Sequence, residues 1–184
     1  MEGKLVRIRA YERSDLDALM AWVNDEEVIR NLGGGPLAFP SSRVQEEQFL
    51  EVATRSGADA TNKIFAIETI AERKYIGGID LRAINWLDRH AEIGIVIGDK
   101  SYWSKGYGTD AMRVIMRMGF DKMGLNKLWL KVLAFNARGI RCYEKCGFRR
   151  EGVLREDRFV ENKYCDGIMM GILEREYREA VKNW

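Results

Sequence analysis

An apolar run from Ala91 to Ile97 delivers a glycine-rich loop, Trp103-Ser-Lys-Gly-Tyr-Gly-Thr109, to the start of a segment with helical patterning. A loop free of bulky side chains lets backbone N–H groups and the positive end of a helix meet an anion. Strand, glycine loop and helix in that order point to a mixed α/β domain with a phosphate-bearing ligand at the loop.

At 184 residues, 46% hydrophobic and with two prolines, the chain can bury a core without covalent staples, and residues 1–184 read as a single domain. Lys and Arg number 30 against 28 Asp and Glu, a formal charge of +2, so bulk electrostatics call for neither a nucleic-acid nor a membrane partner. The N-terminal Met1-Glu-Gly-Lys-Leu-Val6 lacks a cationic segment followed by an apolar core, and no run approaches membrane-spanning length. A cytoplasmic location is expected. Cys142, Cys146 and Cys165 fit no metal-ligand spacing, so no metal site is expected and the thiols read as reduced, small buried hydrophobes.

Periodicity predicts a strand at Leu5–Ala10, then a helix capped by Ser14, a second helical piece over Glu26–Leu32, and a break at Gly33-Gly-Gly-Pro36. Ser41 or Ser42 caps a helix that stops near Gly57. Lys63–Ile70 and Tyr75–Leu81 form an antiparallel hairpin, and Ile93–Ile97 reads as a strand covered on both sides. From Gly108 to Gly124 the pattern is helical, with Ala111, Ile115 and Met118 beside Met112, Met116 and Met123, and with Arg113, Arg117 and Asp121 wet. A strand at Lys127–Ala134, a helix from Asn136 to Cys146 closed by Gly147, strands near Phe148–Leu154 and Lys163–Leu173, and a final helix over Glu174–Lys182 complete the chain.

Three phosphate motifs compete for the loop. A Walker loop needs lysine after its last glycine, whereas Lys105 precedes Gly106. The dinucleotide pattern G-x-G-x-x-A is met by Gly106 to Ala111, yet Gly98–Lys105 intervene after the strand and the next strand ends without a ribose-binding acid. The third is the loop of the GCN5-related N-acetyltransferases (GNAT), whose signature is Q/R-x-x-G-x-G/A. The chain resembles that family also at Asn136-Ala-Arg-Gly-Ile-Arg-Cys-Tyr-Glu-Lys-Cys-Gly-Phe148, which follows N-x-x-[AGS]-x-x-x-Y-[ER]-K-x-G-F. Leu5-Val-Arg-Ile-Arg with Glu12-Arg-Ser-Asp-Leu16 is similar to the branch of ribosomal-protein-alanine and spermidine acetyltransferases. Trp103 departs from the pattern, standing where Gln or Arg is usual.

The resemblance implies a GNAT fold: an α/β (α+β) domain with a central, mostly antiparallel mixed sheet of about seven strands flanked by helices. It implies acetyl-CoA as cofactor and N-acetyl transfer to a primary amine, a protein N-terminus or a small molecule, by direct attack on the thioester. Ile95, Val96 and Ile97 then pair with the pantetheine arm, and Trp103, Ser104, Lys105, Gly106, Tyr107, Gly108 and Thr109 form the diphosphate loop. Asn136 contacts the arm, Gly139 permits its close approach, and Tyr143 protonates the departing thiolate. Glu92, on the strand face of Gly94 and Val96, is the candidate base, directly or through water. Arg141 and Lys145 read as solvated helix charges.

Acceptor choice in the family comes from the region equivalent to Glu26–Pro40 and from the turn at Arg155–Lys163. The glycines at 33–35 stand where spermidine acetyltransferases tend to carry acids, which points away from polyamines, while Glu26, Glu27, Glu156 and Asp157 keep that alternative open. A CoA-binding sensor without turnover is a further alternative, and a homodimer is compatible with the sequence.

Overall fold

The computed structural model describes residues 1–32, 39–55, 61–182 and 184. Seven strands form one sheet in the order β1-β2-β3-β4-β5-β7-β6. They are β1 (Val6–Arg9), β2 (Lys63–Thr69), β3 (Tyr75–Asn85), β4 (His90–Ile97), β5 (Lys127–Leu133), β6 (Arg149–Val160) and β7 (Lys163–Leu173). All neighbours are antiparallel except β4 and β5, which the crossover helix α4 (Tyr107–Arg117) makes parallel. The expected mixed α/β architecture is therefore present.

One face of the sheet carries α4 and α5 (Ala137–Lys145), and their apolar stripes enter the main core with Met112, Val114, Ile115, Met116 and Ile140. The predicted Met stripe is thus core, and Arg113 and Arg117 keep partial exposure. On a second, smaller core, Tyr11, Leu16, Leu19, Leu50 and Ala53 pack around α1 (Leu16–Val23) and α3 (Arg43–Arg55). Between these two helices lies the short α2 (Glu26–Arg30), and α6 (Glu174–Val181) ends the chain.

Several local readings need correction. Ser14 is not a helix cap: residues Arg13–Asp15 form a 3-10 turn, and Glu12 with Asp15 closes a capping box around it. The Ser42 reading holds, since Ser42 Oγ accepts from Gln45 N and Gln45 Oε1 accepts from Ser42 N. The helix read to Gly124 leaves α-geometry at Met118, where a π-turn runs to Lys122. The turn expected over Arg155–Lys163 shrinks to Glu161 and Asn162, both at positive φ of 51° and 59°, the conformation of a tight two-residue hairpin. The Gly33–Pro36 break and the Gly57 stop lie outside the described residues.

The largest departure concerns β4. It pairs with β3 from His90 to Ile97, but with β5 only at His90–Lys127, Ala91–Leu128 and Glu92–Trp129. Ile93 stays in the core, but from Gly94 onward the strand is half-buried rather than covered on both sides, because β5 leaves it. A register shift in β3 between Arg82 and Asn85, with Ala83 at φ 49°, sits opposite the last shared residues. Such irregularities bend a strand and raise its twist.

Asp110 fastens the start of α4 to the sheet. Its buried carboxylate accepts the backbone N–H groups of Lys4 at 3.0 Å, Leu5 at 2.7 Å and Val6 at 3.0 Å. Asp110→Ala strands those donors, one of them fully buried, and is expected to cost about 2–4 kcal/mol. Urea unfolding should show a lower midpoint with an unchanged slope; a loss under about 0.5 kcal/mol would contradict the role.

Candidate active site

The parting of β4 from β5 opens a cleft of about 810 Å³, within the usual range for small-molecule sites. Ile95, Val96 and Ile97 form one wall, Ser104, Gly106, Gly108 and Thr109 the loop end, and Asn136, Gly139 and Tyr143 the wall from α5. Glu92 and Trp103 also line it. Of the residues singled out in the sequence, Lys105 and Tyr107 do not line the cleft. Tyr107 packs edge-on against Tyr102 at 4.9 Å between ring centroids, and Tyr102 donates to Glu72.

Gly106 is the N-cap of α4 at φ 91°, a left-handed conformation that disfavours any side chain. Ser104 lies at φ 60°, so two left-handed residues turn the loop within three positions. The loop therefore hands an uncovered helix start to the cleft.

Trp103 has a structural task. Its indole Nε1 donates to Ile97 O at 2.6 Å, tying the loop to the end of β4, and the Arg138 guanidinium lies 3.5 Å from the ring centroid. Stacking on an indole face holds a guanidinium without an acid. Burial lowers the pKa of Arg138, which lines the cleft with Arg141 and Lys145. These three positions, spaced three and four apart, present one helical stripe of positive charge. Sequence reading passed over Arg138 and set Arg141 and Lys145 aside as solvated, although that spacing was visible.

Asn136 Oδ1 accepts from Gly139 N at 2.9 Å, so this side chain caps α5. A Cβ at residue 139 would come within 2.9 Å of the Asn136 amide, which explains the small residue there. Tyr143 is 9% exposed, and burial raises its phenol pKa. Among the described residues its hydroxyl has no hydrogen-bond partner, unlike an ordinary buried tyrosine. It is a protonated donor at the cleft wall.

Glu92 faces the cleft in an ion pair with Arg82 at 3.2 Å. Asp80 lies beside them: its carboxylate and the Arg82 guanidinium occupy the space a Gly94 side chain would fill, and desolvation raises the Asp80 pKa. His90, on the same strand, does not line the cleft. Among the described residues no cluster of His, Cys, Asp and Glu could hold a metal, and no helix is long and apolar enough to cross a membrane.

Cys142 departs from the buried-hydrophobe reading, whereas Cys146 fits it. The Cys142 thiol lies 3.4 Å from Thr109 Oγ1, and hydrogen bonding with Cys146, then with Thr109, pulls its pKa below the ordinary thiol range. Burial pushes Cys165 the other way. As pH rises, alkylation of Cys142 should therefore set in earlier than that of Cys165, and acetyl-CoA should protect Cys142 alone. Mass spectrometry of iodoacetamide-treated protein checks this; a common onset, or no protection, would contradict it.

Comparison with known proteins agrees with this geometry. The model of the acetyltransferase (GNAT) domain family matches residues 6–149. The spermidine N(1)-acetyltransferase of Escherichia coli is 31% identical over 175 residues, 94% of this chain and 88% of that protein. Its counterpart from Vibrio cholerae is 28% identical over 170 residues, 92% and 94% of the two chains. The crystal structure of the Vibrio cholerae spermidine N-acetyltransferase with CoA and spermine superposes with a TM-score of 0.82 at 28% identity, covering 94% of this chain and 98% of that one. A matched domain, a shared fold and a cleft with the expected strand, loop and helix walls converge: the chain belongs to the GNAT family and is an acetyl-CoA-dependent N-acetyltransferase.

Proposed function

We propose that residues 1–184 act as one cytoplasmic acetyltransferase domain that moves an acetyl group to the primary amine of a small molecule by direct attack. The observation that carries this reading is that the open edge of β4, the loop at Gly106 and Gly108, and the Tyr143 phenol bound a single cleft. Acetyl-CoA supplies the thioester whose acyl carbon the amine attacks.

The chain's own residues divide the work. Arg138, Arg141, Lys145 and the start of α4 hold the phosphates, by charge and by free backbone N–H groups. Residues Ile95 to Ile97 lie on the strand that loses β5, so their backbone can pair with an extended arm as an added strand would. The Ile97 carbonyl is already taken by Trp103, which restricts that pairing to the groups before it. A backbone N–H near Val96 stabilises the oxygen of the reacting carbonyl.

Tyr143 Oη holds its proton until the thiolate departs, and burial keeps the phenol in that state. Glu92 takes the ammonium proton directly or through water. Its Arg82 partner at 3.2 Å holds the carboxylate in place at the strand where the cleft begins. The retained phenol and the open strand edge favour turnover over a sensor role. Relatives named as spermidine acetyltransferases support a small-molecule amine over a protein N-terminus.

Tyr143→Phe removes the donor and little volume. It is expected to lower kcat about 100-fold while the Kd for acetyl-CoA stays within about twofold. Free-thiol release and calorimetry measure the two; an unchanged kcat would remove the acid role from Tyr143.

A further inference from the structure

One end of the cleft is walled by β4, the glycine loop and α5. The other end of the cleft, on the face of β5, β7 and β6, holds Trp129, Lys131, Leu154, Arg158 and Met169. We propose that the acceptor is a primary amine that also carries one anionic group, a carboxylate or a phosphate, on an apolar body, and that Arg158 with Lys131 receives that group. This inference rests on the reading that an amine is acetylated in this cleft.

Charge pairing at this end is the basis. The one acidic residue lining the cleft among the described residues is Glu92, and Arg82 holds it at 3.2 Å. Asp157, just behind the wall, binds Lys131 Nζ at 2.8 Å. Asp80 stands 3.6 Å from the same Arg82. Along the cleft lining, among the described residues, a polycation therefore meets no uncommitted carboxylate, and must break an existing ion pair to find one there.

An anion meets the opposite situation. Among the described residues Arg158 reaches only the Asp157 carboxylate, at 3.8 Å, too far for a hydrogen bond. Two cations thus share one carboxylate, which leaves a positive charge and the guanidinium donors for a ligand. A carboxylate or phosphate beside Arg158 can take two parallel N–H donors, a geometry that lysine cannot supply. Trp129, Leu154 and Met169 wall the same end with apolar surface, which strengthens a charge interaction and suits an apolar body.

Arg30 on α2 pairs with Glu161 in the β6–β7 turn at 2.9 Å, and Val28, Asn31 and Leu32 border the cleft beside it. An acceptor that enters under this link is measured at both ends, amine toward Glu92 and anion toward Arg158.

The test compares matched amines in wild type and Arg158→Gln: phenylalanine with its amide, and phosphoethanolamine with ethanolamine. Spermidine is the polycation. The two pairs separate a carboxylate from a phosphate preference, and the comparison between proteins cancels the different intrinsic reactivities of the amines. Arg158→Gln should raise KM for the preferred anionic amine about tenfold or more and that of its neutral partner less than about threefold, with partial recovery in Arg158→Lys. Quenching of tryptophan fluorescence by the same amines gives their Kd and should show the same split. Equal effects on both members of each pair, spermidine preferred over every anionic amine in the wild type, or turnover of no anionic amine would overturn the inference. Failure of the underlying reading looks different: acetyl-CoA would not raise the melting temperature, and no amine, spermidine included, would release thiol.

Discussion

β4 keeps β3 along its whole length and loses β5 after Glu92. A strand interrupted in this way has backbone groups that no neighbouring strand satisfies, and buried backbone groups need partners. Here the gap is 810 Å³ and opens onto a glycine loop, so an extended ligand can lie along the strand edge with its charged end at the start of α4. The register shift near Ala83 and the Trp103–Ile97 link act on β4, and the Asp110 carboxylate holds the start of α4 against the sheet. The sheet is thus built to hold a break in itself.

Charge is partitioned along the cleft. Cations that have no carboxylate partner among the described residues gather on α5, where Arg138 rests on the Trp103 ring. Such an arrangement costs desolvation, the same burial that lowers the Arg138 pKa, and an anion offsets that cost. At the opposite end the acids are spoken for, by Arg82 and by Lys131. The Escherichia coli and Vibrio cholerae relatives are named for spermidine, a polycation, but a shared fold and cofactor cleft do not carry over the acceptor by themselves.

The fold and much of the site were legible in the sequence because both are written in local patterns. Glycines before a helix, Asn136, Gly139 and Tyr143 on one helix face, and the alternating patterns of the strands depend on near neighbours; that Asn136 caps α5 was not read. What escaped depends on pairs distant in the chain. Ile93–Ile97 read as a fully covered strand because apolar succession says nothing about where β5 turns away. Trp103 read only as a departure from the usual Gln or Arg, since its partners Ile97 and Arg138 meet it only in space. Lys105 looked useful by sitting in the loop, whereas Arg141 and Lys145, judged by helix exposure alone, are the ones that face the cleft. Ser14 failed as a cap because the Glu12–Asp15 box had already closed the turn around it.

Backbone amide hydrogen exchange with and without acetyl-CoA tests most directly whether the break in the sheet is the cofactor site. Slower exchange on binding is expected at residues 95–97 and 106–109, on the open strand edge and the loop together. Unchanged exchange at both segments, with the protection appearing elsewhere in the sheet, would contradict a cofactor lying between β4 and β5.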